Sequence, residues 1–334
     1  MIGLGVVGLG HWGPNILRAF MALKGGQVQW ACDRDEERLR KVASSFPHLS
    51  LTCRYEDLLQ DETLDAVAIA TPASQHHLMA KAALEAGKHV FVEKPLALEK
   101  EEARELIALA QTKAKTIMVG HLLLYHPAIR MLKDLIRAGE LGHLHYIYST
   151  RVNLGQVRQE ENALLSFAPH DISVILYLLD AHPTEVSAVG GDYLQEGIED
   201  VVFLTLRFPN GALAHCHVSW LDPHKIRKFT VVGSKKMAVF DDMEPSDKVW
   251  IYDKGVEHRR EFSSFGEFLS LRFGDIHIPR VEMREPLHIE CQHFLECINQ
   301  GKRPLSDGEN GLAVLEVIEA ANRSLRERGR PIPM

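Results

Sequence analysis

The sequence predicts a chain in two parts: an α/β half on a doubly wound parallel sheet, then an α+β half on a large, mostly antiparallel, open-faced sheet. Over the first 120 residues short apolar runs alternate with amphipathic stretches, the pattern of a parallel sheet covered by helices. Those runs are apolar throughout, as strands hidden on both faces require. Beyond residue 183, strand follows strand across turns such as Phe208-Pro209-Asn210-Gly211 and Gly233-Ser234, which points to a single antiparallel sheet.

In chain order, the strands of the first half are LGVVG, VQWAC, LDAVAIAT, KHVFVEK and TIMVG. Helices between them include PNILRAFMALKG, DEERLRKVASSF, SQHHLMAKAALEAG and LEKEEARELIALAQTK. Pro14 suits the first turn of its helix, Ile16, Phe20 and Leu23 share a face, and Gly25-Gly26 stops it. From residue 122 onward come the helix HPAIRMLKDLIRAGELG, the strand GHLHYIYSTRVN and a helix expected to open at Pro169, HDISVILYLLDA. Strands TEVSAVGGDYL, EDVVFLTLRF, GALAHCHVSW, KIRKFTVVG, KMAVFDD and DKVWIYD follow, and two amphipathic helices, EPLHIECQHFLECINQG and ENGLAVLEVIEAANRSLRERG, close the chain. No repeat or flexible linker interrupts it, and the boundary is expected near residue 121.

The opening MIGLGVVGLGHWGPN contains the spacing G-x-G-x-x-G twice, at Gly3-Gly5-Gly8 and at Gly8-Gly10-Gly13. Only the second has a strand before it and a helix after it, as a dinucleotide-binding turn needs. Gly8 permits the tight turn, Gly10 lets backbone N–H groups approach phosphate oxygens, and Gly13 lets helix and strand lie close. The next strand ends in Asp33, 20 residues beyond Gly13. An acid there accepts hydrogen bonds from both ribose hydroxyls and repels a 2′-phosphate, favouring NAD over NADP, while the adjoining Arg34 keeps NADP open. Asp33 equally suits the N-cap of the helix that follows.

Bulk properties narrow the class. The 334 residues are 46% hydrophobic and 25% charged, ordinary for globular domains, and the formal charge of −7 offers no basic footprint for nucleic acid or a membrane surface. Cys32, Cys53, Cys216, Cys291 and Cys297 form an odd set without C-x-x-C, so a disulfide framework is not expected. No apolar run reaches membrane-spanning length and the first residues lead directly into a strand, so a cytoplasmic location is expected. His215 and His217 share a strand face, and His288 and His293 one helix, but neither pair has a third ligand at a recognisable spacing, so no metal is expected.

Two side chains stand where chemistry is expected. Lys94, in KHVFVEKP, leaves the carboxyl end of a strand, the edge at which doubly wound sheets bind ligands; a solvated surface lysine is the plainer alternative. His170 and Asp171, expected at a helix N-terminus after Pro169, suit either capping or a cleft, where the positive helix end would keep the imidazole neutral and able to accept a proton.

Over essentially its whole length the chain resembles the glucose–fructose oxidoreductase and inositol dehydrogenase (Gfo/Idh/MocA) family. The resemblance rests on GLGHWGPN, ATPASQHHLMAKAALEAGKHVFVEKPLAL, GHLLLYHPA and the PHDIS segment. Later stretches, from IEDVVFLTLRFPNGALAHCHVSWLDPHK to ECQHFLECINQGKRPLSDGENGL, look like a branch met beside or fused to sugar-nucleotide acetyltransferases.

The resemblance implies a Rossmann domain over residues 1–121 and a substrate-binding and oligomerising domain over 122–334; the second sheet's uncovered face needs hiding, so a homodimer or homotetramer is expected. Gly8, Leu9, Gly10, His11, Trp12, Gly13, Asp33, Arg34, Thr71, Pro72, His76, Glu93 and Lys94 would hold the dinucleotide. Lys94 would hydrogen-bond the reacting hydroxyl, His170 would be the acid/base, and the Lys94–Pro95 bond is expected to be cis. The substrate would be a sugar, and the branch suggests a nucleotide-linked amino sugar or its uronic acid. Arg151, Asn153 and Arg158 are candidates to meet its phosphates or carboxylate, although surface salt bridges suit those arginines as well.

Two departures stand out. Ser166 occupies the position, four before the histidine, where the family commonly has an aspartate, leaving Asp171 as a substitute. Leu124 stands where an arginine is frequent, leaving Tyr125 and His126 as polar candidates at that rim. A dinucleotide-binding sensor or partner without turnover, and a reductase of keto-sugars or cyclic ketones, remain alternatives.

Overall fold

The computed structural model describes residues 1–155, 157–159, 161–258 and 269–334. They form two compact units, one of residues 1–125 and 284–316, the other of residues 126–283 and 317–334.

The first unit alternates β1 (Ile2–Val7), α1 (Gly13–Met21), β2 (Gly26–Cys32), α2 (Glu36–Ser45), β3 (Ser50–Thr52), α3 (Tyr55–Gln60), β4 (Ala66–Ile69), α4 (His76–Glu85), β5 (His89–Glu93), α5 (Lys100–Thr112) and β6 (Ile117–Gly120). All six strands are parallel, in the order β3-β2-β1-β4-β5-β6, which is the doubly wound Rossmann arrangement. The rival glycines Gly3 and Gly5 lie inside β1, where an added Cβ would strike the Thr63 carbonyl oxygen and the Leu58 side chain. They are packing glycines, and the turn belongs to Gly8, Gly10 and Gly13. The sequence reading lacks β3 and α3, which at three and six residues are too short to show a period.

The second unit contains α6 (Pro127–Arg137), β7 (Leu144–Val152), α7 (Ala163–Leu179) and β8 to β14: Glu185–Gly191, Val201–Arg207, Leu213–Ser219, Ile226–Gly233, Met237–Asp241, Val249–His258 and Leu269–His277. Its nine-stranded sheet runs β14-β13-β12-β11-β7-β10-β9-β8-β15, the last being the two-residue strand Ile332–Pro333. Among the described residues of this sheet, only β7 and β10 pair in parallel. One face packs on α6 and α7; the other leaves Tyr146, Tyr148, Phe203 and Leu213 exposed. The open-faced sheet anticipated from sequence is present.

Helix α7 corrects an expectation. It starts at Ala163, capped by Asn162, whose side chain accepts the Leu165 N–H at 3.0 Å, and Pro169 lies inside it. Proline normally marks a first turn because it lacks the N–H that an inner turn needs. Here the buried residues Ala163, Leu164, Ser166 and Ala168 hold the preceding turns helical, so His170 and Asp171 sit mid-helix and the helix-end argument for His170 does not apply.

After β14 come α8 (Pro286–Gln300) and α9 (Gly308–Arg326). α8 packs on α1 and on the 3-10 turn Leu122–Tyr125. Phe20, Phe91 and Phe294 meet edge to face with centroids 5.8 to 6.2 Å apart, each pair worth roughly 0.5–1.5 kcal/mol beyond its buried area. Ser306 extends the contact, its Oγ donating to the Val119 carbonyl while its own carbonyl accepts the Val119 N–H. A single boundary near residue 121 therefore does not describe the division: residues 284–316 return to the first unit. The apolar stripe of α8 announces a packed helix, not which sheet it packs on.

Candidate active site

The glycine turn has the shape its spacing implies. Gly8 has φ +87°, and a Cβ there would lie 2.6 Å from the Ala70 carbonyl carbon. A Cβ on Gly13 would strike the Gly8 carbonyl oxygen. Above Gly10 only the Arg38 guanidinium approaches, at 3.5 Å, so that position is open. No side chain caps α1, which begins at Gly13-Pro14, leaving backbone N–H groups for an anion. His11 is exposed and Leu9 buried.

Leu9 ties the turn to β2 by donating its N–H to Asp33 Oδ2 at 2.6 Å. Asp33 Oδ1 accepts the Asp35 N–H at 2.9 Å, and the Arg38 guanidinium stands 3.4 Å from Oδ2. The cap of α2 is Asp35, not Asp33. Oδ2 accepts from both Leu9 and Arg38, while Oδ1 accepts one bond and retains a lone pair for a ribose hydroxyl; Arg34 is exposed beside it. The open Gly10, the uncapped helix and this carboxylate fit a dinucleotide.

At the tips of β4 and β5 the backbone is fixed by side chains. The Lys94–Pro95 bond is cis. His76 is buried, with Nδ1 2.6 Å from the Pro95 carbonyl oxygen and Nε2 2.9 Å from that of Thr71. The neutral imidazole has one N–H and donates to one of these two carbonyls; burial, which lowers its pKa, disfavours the charged form that would donate to both. Pro72 is exposed and Thr71 half-buried. The Glu93 carboxylate accepts the Lys94 N–H at 3.2 Å and a hydrogen bond from the Trp12 indole. Burial pushes that carboxyl up to about 7, against the pull of Lys94 and of these bonds. It also lies over Gly120, where a Cβ would be 3.0 Å from it. Lys94 is thus carried on a turn braced by Trp12, Glu93 and His76.

In the second unit, His170 is half-buried on α7, with Ser166 one turn earlier on the same face. Arg151 donates from Nε to Asp171 Oδ2 at 2.5 Å, and the two are 6% and 1% exposed; each is the other's buried partner, a structural pairing that competes with the substrate roles expected of them. Asn153 is half-buried, and Arg158 is exposed, 3.6 Å from Glu161. The rim candidates change as well. Tyr125 is fully buried with its hydroxyl 2.9 Å from Ser306 Oγ, and His126 caps α6, its Nδ1 accepting the Ala128 N–H at 3.1 Å.

Four further residues escaped the sequence reading: Arg38 beside Asp33, His121 and Asn310 linked at 2.6 Å, and Glu290, fully buried near Glu93. Burial and the Glu93 charge raise Glu290 well above the carboxylate range. Gly120 was the available signal, since a glycine ending a buried strand marks a close approach.

Residues 2–121 match the oxidoreductase family with an NAD-binding Rossmann fold, and residues 129–239 match the GFO/IDH/MocA C-terminal domain. The chain is 28% identical over 348 residues to a scyllo-inositol 2-dehydrogenase (NAD(+)) of Bacillus subtilis, covering 100% of this chain and 95% of that one. It is 28% identical over 315 residues to a UDP-N-acetylglucosamine 3-dehydrogenase of Acidithiobacillus ferrooxidans, covering 93% of each. A solved structure of the latter superposes with TM-score 0.81 at 26% identity, over 98% of this chain and 99% of that one. The turn, the braced lysine and these matches together establish that the chain is an NAD-binding oxidoreductase of the Gfo/Idh/MocA family.

Proposed function

We propose that the protein oxidises a ring hydroxyl of a nucleotide-linked sugar, passing hydride to NAD. The observation that carries this is Lys94 on its braced turn at the carboxyl edge of the parallel sheet, together with the similarity to a UDP-N-acetylglucosamine 3-dehydrogenase. When bound, NAD supplies the hydride acceptor. Lys94 donates to the reacting oxygen and steadies the developing alkoxide, while His170 takes the hydroxyl proton. Ser166 orients the imidazole through its hydroxyl. Arg158 and Asn153 are assigned to the anionic end of the substrate. The cofactor is held within residues 1–121 and the substrate by the second half of the chain. The aromatic open face of the second sheet is assigned to a homodimer or homotetramer, and the location to the cytoplasm.

Incubating the full chain with NAD⁺ and a panel of UDP-sugars and inositols, while following absorbance of the reduced cofactor, tests this directly. Turnover of a UDP-sugar above the inositols supports it; turnover of inositols alone removes the nucleotide-sugar assignment. Ser166 favours one second reading, a dinucleotide binder without turnover, because a hydroxyl cannot stabilise an imidazolium as a carboxylate does. NAD⁺ binding with no reduction on any sugar or cyclitol would support that reading.

A further inference from the structure

Strands β5 and β6 run side by side with Glu93 paired to Gly120. The next residues, Lys94 and His121, therefore leave the sheet from adjacent strand tips, spaced about 4.8 Å. His121 is 1% exposed, and its Nδ1 lies 2.6 Å from Asn310 Oδ1. A carboxamide oxygen only accepts, so Nδ1 carries the proton and Nε2 is the lone-pair nitrogen. Among the described residues Nε2 has no hydrogen-bond partner, yet unlike the two oxygens of Glu290 it is not sealed from solvent. An acceptor is thereby held at the mouth of the sheet, beside the one ammonium assigned to the reaction.

We propose that His121 is a further substrate-touching residue, its Nε2 accepting a hydrogen bond from the hydroxyl adjacent to the carbinol that Lys94 holds, with Asn310 fixing the tautomer. This rests on the role of Lys94 given above. The two groups are complementary to a vicinal diol. The oxygen that loses its proton needs donors, which the ammonium supplies. Its neighbour keeps its proton and needs an acceptor, and a neutral imidazole serves without opposing the alkoxide as a carboxylate would. Burial pushes the His121 imidazole down to about 4, opposed by the Asn310 bond and assisted by Lys94, so the ring is neutral at pH 7. The ligand class is a sugar or cyclitol with adjacent free hydroxyls.

The test uses the full chain with NAD⁺, with UDP-N-acetylglucosamine and myo-inositol as probes. His121→Phe should lower kcat/KM on an oxidised probe by about 10- to 100-fold, the range for a substrate hydroxyl left without its partner, with NAD⁺ affinity within twofold of wild type. His121→Gln, whose amide oxygen accepts, should recover part of the loss. Asn310→Asp, which favours the imidazolium, should move the acid limb of the kcat/KM profile to higher pH. Nitrogen-15 NMR of histidine-labelled protein with NADH bound should find Nδ1 protonated and Nε2 bare. Wild-type kcat/KM in His121→Phe, or a proton on Nε2, overturns the proposal. If neither probe is oxidised, the nucleotide-sugar reading is what fails and the tautomer decides His121: a bare Nε2 supports the acceptor role, a protonated one ends it.

Discussion

At the edge of the parallel sheet, Lys94 is placed by neighbouring strand ends: Glu93 holds its N–H, Trp12 holds Glu93, and the His76 ring lies between the Thr71 and Pro95 carbonyls. On α7, His170 has no such strand end. Its position follows from a 17-residue helix whose first turns are kept helical by burial, with a proline inside. The polar residues nearest in sequence differ in the same way. Glu93, next to Lys94, accepts the lysine's own backbone N–H, whereas Asp171, next to His170, is paired with Arg151, twenty residues away in the chain. The lysine's place follows from the end of its own strand, although the groups that brace it come from other segments, whereas the histidine's place depends on packing along a whole helix.

The largest expected effect tests the first of these supports. Lys94→Ala should lower turnover by about 10²- to 10⁴-fold, the range for a group acting on the proton or charge of the transition state, while the thermal midpoint stays near wild type. Near-full turnover in steady-state assays would remove Lys94 from the reaction.

The second support is probed through Arg151. Arg151→Met strands Asp171 as an unpaired buried charge, and urea titration should show a loss of about 3–5 kcal/mol. The double variant Arg151→Met with Asp171→Leu should recover much of it, because no charge is then left buried. A single variant as stable as wild type would show that the pair contributes nothing to the second unit.

A smaller effect is expected at the glycine turn. Gly8→Ala forces a side chain into φ +87° and against Ala70, costing about 1–3 kcal/mol. Gly25→Ala meets φ +102° with open space around it, so it should cost less. Equal losses in parallel melts would mean that conformational strain alone, and not contact with Ala70, sets the need for Gly8.

Stability should also depend on pH at both ends, with opposite signs. Glu93 has its folded pKa raised to about 7 from 4.5. Its contribution is fully present below the unfolded value and is lost as pH rises through 7; Glu290 acts in the same direction. His89 and His121 have folded values lowered to about 4 from 6.5. Their contribution is present above 6.5 and is lost as pH falls through 4. Glu290→Gln should reduce the alkaline loss and leave the acid loss unchanged; an unaltered alkaline limb in pH-dependent melts would contradict the assignment.

Much of this was legible in the residues. The glycine spacing with its flanking strand and helix, Asp33 at the next strand end and Lys94 before proline all depend on local rules, and their elements stand where the sequence placed them. β3 and α3 were too short for a period to show. The start of α7 was hidden because Pro169 usually opens a helix and only packing reveals otherwise. Arg151, Tyr125 and His126 were polar side chains whose partners, Asp171, Ser306 and the Ala128 N–H, cannot be inferred from spacing alone. The return of residues 284–316 to the first unit was hidden for the same reason, and with it Asn310 and Glu290.

The central claim is that Lys94 and His170 serve one proton-and-hydride step. The double-mutant cycle on kcat measures it most directly, using Lys94→Ala, His170→Ala and their combination with NAD⁺ and an oxidised sugar. Groups that act as a unit are strongly non-additive, so the double variant should be about as slow as the slower single one. Losses that multiply across the cycle would mean that the two residues work independently, and would contradict the account.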